Sequence, residues 1–219
     1  MDEIGWANER ADAQGMVHQL RELGVPRTKI GRRKLRLFAC EIVRAWRHTS
    51  VDEVIFQNVL IAERFADQMV SRAVLFNALQ SGLDEHSRRW DPHVRGEYRF
   101  LAVQTCHPEA FQTALLITAS PFPILSTRYA SDGWFVSCNL LRCVFGNPFQ
   151  KPAFNKKWRS ESVTALATGI YEERAFDRLP ILADALEEAG CDEPTMLSHL
   201  RGSGPHCRGC WVLDLALGK

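Results

Sequence analysis

A chain of 219 residues with 46% apolar residues is long enough to bury a core without covalent staples. Its net charge of +1 excludes a general electrostatic pull toward nucleic acid or acidic lipid, and no apolar run approaches the roughly 20 residues that span a bilayer. The N-terminal MDEIGWANER is acidic and polar, without the basic-then-apolar order of a secretory signal, so a cytoplasmic location with no membrane partner is expected. The seven cysteines are then expected as thiols rather than disulfides.

The pattern is helical nearly throughout. Over 33–47, Leu35, Phe38, Ile42 and Ala45 recur at helical spacing, with Ala39 and Trp46 widening the stripe. Over 51–80 the stripe is Ile55, Val59, Ala62, Ala66 and Met69, with Asp52 and Glu53 in the first turn and Gly82 as a stop. A third helical stretch, 96–119, is interrupted near Pro108. The segments 120–133 and 146–158 each carry two prolines and read as ordered connections, anchored by Phe122, Phe149, Phe154 and Trp158. The first of them has room for a short strand but too little alternation for a sheet. Ser160 is placed to cap a helix carrying Val163, Leu166, Ala167 and Ile170. Asp177 is placed to cap the next, with Pro180 in its first turns, Leu182, Ala185, Leu186 and Ala189 inward, and Gly190 at its end. A short helix at 193–200 and the apolar tail WVLDLALG complete the chain. Cys40, Cys106, Cys138 and Cys143 sit singly among apolar residues and read as core.

The chemistry gathers at the C-terminus. Cys191, His199, His206, Cys207 and Cys210 offer five soft or borderline donors around a Gly-Ser-Gly-Pro turn. Zinc takes four such donors in a tetrahedron, and adjacent His206 and Cys207 seldom both reach one ion. The preferred set is Cys191, His199, His206 and Cys210, and the competing set exchanges His206 for Cys207. Four protein ligands leave no position for water, so the zinc site would be structural. A cysteine nucleophile at Cys207 or Cys210, with His206 or Arg208 beside it, is a lesser reading and would make the chain a Cys- or metal-dependent hydrolase. Arg27, Lys29, Arg32, Arg33, Lys34 and Arg36 form a basic stretch that suits phosphates, or else a solvated face pairing with acidic residues elsewhere. Asp184, Glu187 and Glu188 read as a solvated helix face, and phosphate loops and serine elbows are absent.

The segments YEERAFDRLPILADALEEAGC (171–191) and HLRGSGPHCRGCWVLDLALGK (199–219) resemble the C-terminal signature of a family of uncharacterised bacterial proteins. RKLRLFA, AERFAD and FGNPF are similar to that family's other marks. The resemblance implies that Cys191, His199, His206 and Cys210 stand at positions holding the same residue types in the family, whereas that of Cys207 is more often aliphatic. It brings no established activity. LADALEEAG also resembles the LADxLEExG core of a small repeat-companion domain, which implies an interaction role.

The expectation is therefore an all-α protein, a single domain over 1–219 with an N-terminal helical part at 1–145 and a turn-rich C-terminal region at 146–219. Its expected function is a non-enzymatic interaction or scaffold module for a protein partner, with a structural zinc site. The alternative is a nucleic-acid-associated protein of a defence or mobile-element system, binding through 27–36.

Overall fold

A computed structural model describes residues 1–8, 11–45, 53–89, 94–120, 133–150 and 152–219, with the side chains of 53–55, 94–95 and 133–135 left aside. Among the described residues there are twelve α-helices and no strand, so the fold is all-α. The helices are α1 (Glu3–Ala7), α2 (Ala13–Glu22), α3 (Lys29–Ala45), α4 (Glu53–Ala66), α5 (Arg72–Arg88), α6 (Val94–Gln104), α7 (Ala110–Ala119), α8 (Gly133–Phe145), α9 (Glu161–Glu173), α10 (Leu179–Glu188), α11 (Pro194–Arg201) and α12 (Trp211–Leu217). No helix is long and apolar enough to cross a membrane among these residues. The chain divides into two compact units, Met1–Cys138 and Asn139–Lys219, and the division falls within α8 rather than after residue 145.

In the first unit α3 is central. It packs against α4, α6 and α7, and six consecutive residues from Leu35 to Cys40 are buried. A helix buried on more than one side needs partners for any polar group it carries. Arg36, 3% exposed, finds them at the end of α6: it donates to the Thr105 carbonyl at 2.5 Å and the Pro108 carbonyl at 3.2 Å, and lies 5.2 Å over the Phe65 ring. These carbonyls lie beyond the last intrahelical bonds of α6, where the helix leaves acceptors unfilled. Burial lowers the Arg36 pKa, opposed by nearby thiols and Glu109. Arg44 makes two bonds to Glu63, at 2.5 and 2.8 Å, joining α3 to α4.

The helix expected over 51–80 is two helices. Gln68, at φ +63°, turns the chain between α4 and α5, and Met69 is 69% exposed instead of inward. Gly82 does not stop a helix. It lies buried inside α5, where an added Cβ would come within 2.8 Å of Val103 and 2.9 Å of Asn58. The interruption expected near Pro108 is present: this residue lies between α6 and α7, two residues ahead of α7. Trp46, Asp52, Phe122 and most of 120–133 fall outside the described residues.

In the second unit α9 packs on α10 and α12, α10 on α11, and α11 on α12. Ser160 Oγ accepts from the Val163 amide at 3.2 Å and caps α9 as expected. Asp177 does not cap α10; it sits in a 3₁₀ turn, Phe176–Arg178, that leads into the helix. Pro180 lies in the first turn of α10, which buries Leu179, Leu182, Ala183 and Leu186. At its end the Cys191 amide reaches back to the Leu186 carbonyl at 2.8 Å while Gly190 is left-handed, the pairing that closes a helix on a glycine.

Candidate metal centre

The C-terminal segment is tied down before any chemistry is considered. Arg208 donates to the Tyr171 and Glu172 carbonyls at 3.2 Å each, closing the end of α9, and lies 5.2 Å over the Tyr171 ring. Arg159 donates twice to the Leu215 carbonyl of α12, at 3.1 and 2.9 Å. Between these ties runs a tight turn in which the Cys210 amide bonds the Cys207 carbonyl at 3.0 Å, with Gly209 at φ +86°. That backbone conformation favours glycine, and it turns Cys210 inward at the start of α12.

The turn faces the last turn of α11 and the last turns of α8. One ligand atom from each of Cys143, His199, His206 and Cys210 falls within 4.8 Å of all the others. The His199 Nε2 to Cys210 Sγ distance is 3.3 Å and the Cys143 Sγ to His206 Nδ1 distance is 3.8 Å. A zinc tetrahedron with its usual bond lengths sets sulfur and nitrogen about 3.6 Å apart, between these two values. His206 is oriented from behind, its Nε2 3.1 Å from the Gly202 carbonyl, which leaves Nδ1 toward the sulfurs. Such an outer carbonyl commonly fixes a metal-bound imidazole. The His199 ring packs edge-on to His206 at 5.0 Å and lies 5.6 Å from the Trp211 ring. Both cysteines are buried and both histidines half-buried. The four side chains form a group that can hold a metal ion.

Burial, reinforced by the Cys143 thiol, pushes Cys210 up to about 11. The hydrogen bond with the Cys207 thiol is the largest influence on Cys143, and with burial it raises that thiol well above the ordinary range. For His206 burial opposes the charge, but Cys210 and the Gly202 carbonyl outweigh it and raise the pKa. Without a cation the thiols are therefore neutral at physiological pH, and an ion entering the group must displace their protons.

Three of the four residues expected to share an ion, His199, His206 and Cys210, are together, and the fourth place is taken by Cys143 rather than Cys191. Cys191 is 4% exposed and lies behind the α10 end, lining an open cleft of about 960 Å³ with Glu187, Leu197, Ser198 and Arg201. The backbone bond that closes α10 holds it there. Cys207, fully buried, contacts the Cys143 sulfur but is not one of the four. Cys143 reads in sequence as another core cysteine, like Cys40, Cys106 and Cys138, because it comes after a run of apolar residues on α8 and stands far ahead of the histidines. The one local sign is Gly146, at the end of the same helix. At φ +64° it lies so close to Trp211 that a Cβ there would meet the indole at 3.1 Å.

The basic residues of 27–36 do not present one face. Arg27, Lys29 and Arg32 are exposed, Arg33 and Lys34 are half-buried, and Arg36 is buried. Arg33 pairs with Asp67 at 3.0 Å, Lys29 bonds Gln68 at 2.6 Å, and Arg32 donates to the Pro26 and Arg27 carbonyls. Asp184, Glu187 and Glu188 are exposed, and the first two pair with Arg201. The chain matches no known family model, no curated protein and no solved structure.

Proposed function

We propose that the protein is a non-enzymatic helical interaction module whose C-terminal unit is stapled by a structural zinc ion on Cys143, His199, His206 and Cys210. The observation that carries this reading is the spacing of the four donors, with sulfur–nitrogen edges of 3.3 and 3.8 Å. Two thiolates and two imidazoles in a tetrahedron suit zinc among the common ions. All four positions are filled by protein, which leaves none for a reacting water, and this argues against a hydrolase. A reducing, cytoplasmic compartment belongs to the same reading, and no disulfide joins any of the seven cysteines. Membership of the bacterial family with the matching C-terminal signature belongs to the same proposal.

The test is metal analysis of tag-free protein together with thermal unfolding before and after chelation. The expected result is about one zinc per chain, and a fall in melting temperature once it is removed. Less than about a tenth of an equivalent, with unchanged unfolding on chelation, would sink the reading.

A further inference from the structure

The unit Met1–Cys138 carries a pocket of its own, none of whose residues belongs to the metal group. It has a volume of about 400 Å³ and is lined by Arg21 of α2, by Pro26 and Arg27 of a 3₁₀ turn, Val25–Arg27, and by Glu109, Phe111 and Gln112 at the start of α7. That volume lies at the small end of the range for small-molecule sites. Its walls are set by packing, since α2 lies on α7 and on the 3₁₀ turn. The Arg27 amide closes the turn on the Gly24 carbonyl at 3.0 Å. α3 backs the turn, with Gly31 too close to the Val25 carbonyl to carry a side chain. The Arg21 guanidinium lies 5.5 Å over the Phe111 ring, which holds its flat face and leaves its N–H edge for another group.

Charge decides what fits. Elsewhere in this unit arginines are paired, Arg33 with Asp67 at 3.0 Å and Arg44 with Glu63 at 2.5 Å. Among the described residues Arg21, Arg27 and Arg32 have no carboxylate within ion-pairing distance. Arg32 is tied to the same wall, donating to the Pro26 carbonyl at 3.1 Å and the Arg27 carbonyl at 2.8 Å. Three guanidiniums against the Glu109 carboxylate leave two positive charges in excess. A phosphate monoester answers that excess, with roughly −1.5 to −2 charge at neutral pH and three acceptor oxygens that two guanidinium forks can share. A carboxylate carries less charge, and one fork already fills its two oxygens. Glu109 repels a phosphate set against it, so it and Gln112 suit the uncharged end of a ligand, where hydroxyls donate to their oxygens.

We propose that this pocket binds a small sugar phosphate, with the phosphate on Arg21 and Arg27 and the sugar hydroxyls on Glu109 and Gln112.

The experiment is calorimetric titration of the full-length chain in phosphate-free buffer. The probes are ribose 5-phosphate, glucose 6-phosphate, ribose, inorganic phosphate and a short 5′-phosphorylated oligonucleotide of mixed sequence. At least one sugar phosphate is expected to bind at a single site and more tightly than inorganic phosphate, while ribose gives no heat of binding. Arg21→Gln and Arg27→Gln are each expected to weaken the sugar phosphate about tenfold or more. Glu109→Gln is expected to tighten inorganic phosphate while weakening the sugar phosphate, an opposition that general charge attraction does not produce. Lys29→Gln, in the same basic stretch but outside the pocket, is expected to leave binding unchanged. All four positions are exposed, so these changes read the site rather than the fold. Failure of both sugar phosphates to bind, tighter binding of the oligonucleotide, or equal losses in Lys29→Gln and Arg27→Gln would overturn the inference.

Discussion

Arg36 lies within an apolar stripe yet fills two carbonyls at and beyond the end of α6, so its charge is used rather than merely tolerated. Arg36→Met removes both bonds and leaves the carbonyls buried, and chemical denaturation is expected to show a loss of about 2–4 kcal/mol. A loss below about 0.5 kcal/mol would mean that water replaces the guanidinium without cost. Nothing in RRKLRLFA separates Arg36 from Arg32 or Arg33 by residue type, which is why the basic stretch reads as one patch until the partners are known. The thiols give a second residue-level expectation. Cys210 lies near 11 without a cation and Cys143 well above its usual range, so both are protonated at neutral pH. Metal binding is expected to release about two protons from the thiols, with a further contribution from His206 as pH falls, and to strengthen as pH rises. Calorimetry in buffers of different ionisation enthalpy reads that number, and no proton release would contradict the assignment of these two thiols as ligands.

The helices arise from stripes that the sequence displays openly, and their ends are harder to read. α3, α9 and α10 bury most of the residues that their spacing marks, among them Leu35, Phe38, Ile42, Val163, Ala167, Ile170, Leu182 and Leu186, while Ala45, Leu166, Ala185 and Ala189 are half-buried. The break between α4 and α5 is hidden because Gln68 adopts a left-handed conformation that the residue type does not advertise. Gly82 misleads in the opposite sense, since it serves close packing against Val103 inside α5. Gly146 joins element to site: it ends α8 beyond Cys143 and lies against Trp211, the first residue of α12. Gly146→Ala forces a Cβ into a left-handed position 3.1 Å from the indole. It is expected to cost about 1–2 kcal/mol and to weaken metal retention in a chelator competition, because it disturbs the chain beside one donor. Unchanged retention would mean that α8 holds Cys143 independently of its end.

Across the whole chain the all-α class is legible, because no described segment alternates and the helical period recurs from end to end. The composition of the metal group is legible in part. His199, His206 and Cys210 are drawn together by turns and short helices close in sequence, whereas Cys143 arrives from α8, with α9 and α10 intervening. A spacing argument reaches only the first kind of neighbour. Since all four donors belong to Asn139–Lys219, chelation is expected to raise amide hydrogen exchange within that unit while Met1–Cys138 keeps its protection. A rise confined to 1–138 would contradict a staple in the C-terminal unit. The most direct measurement is the zinc-to-protein ratio of tag-free Cys143→Ser beside Cys191→Ser. The account predicts about one zinc per chain for Cys191→Ser and less than about a tenth for Cys143→Ser. Full zinc in Cys143→Ser with loss in Cys191→Ser would contradict it.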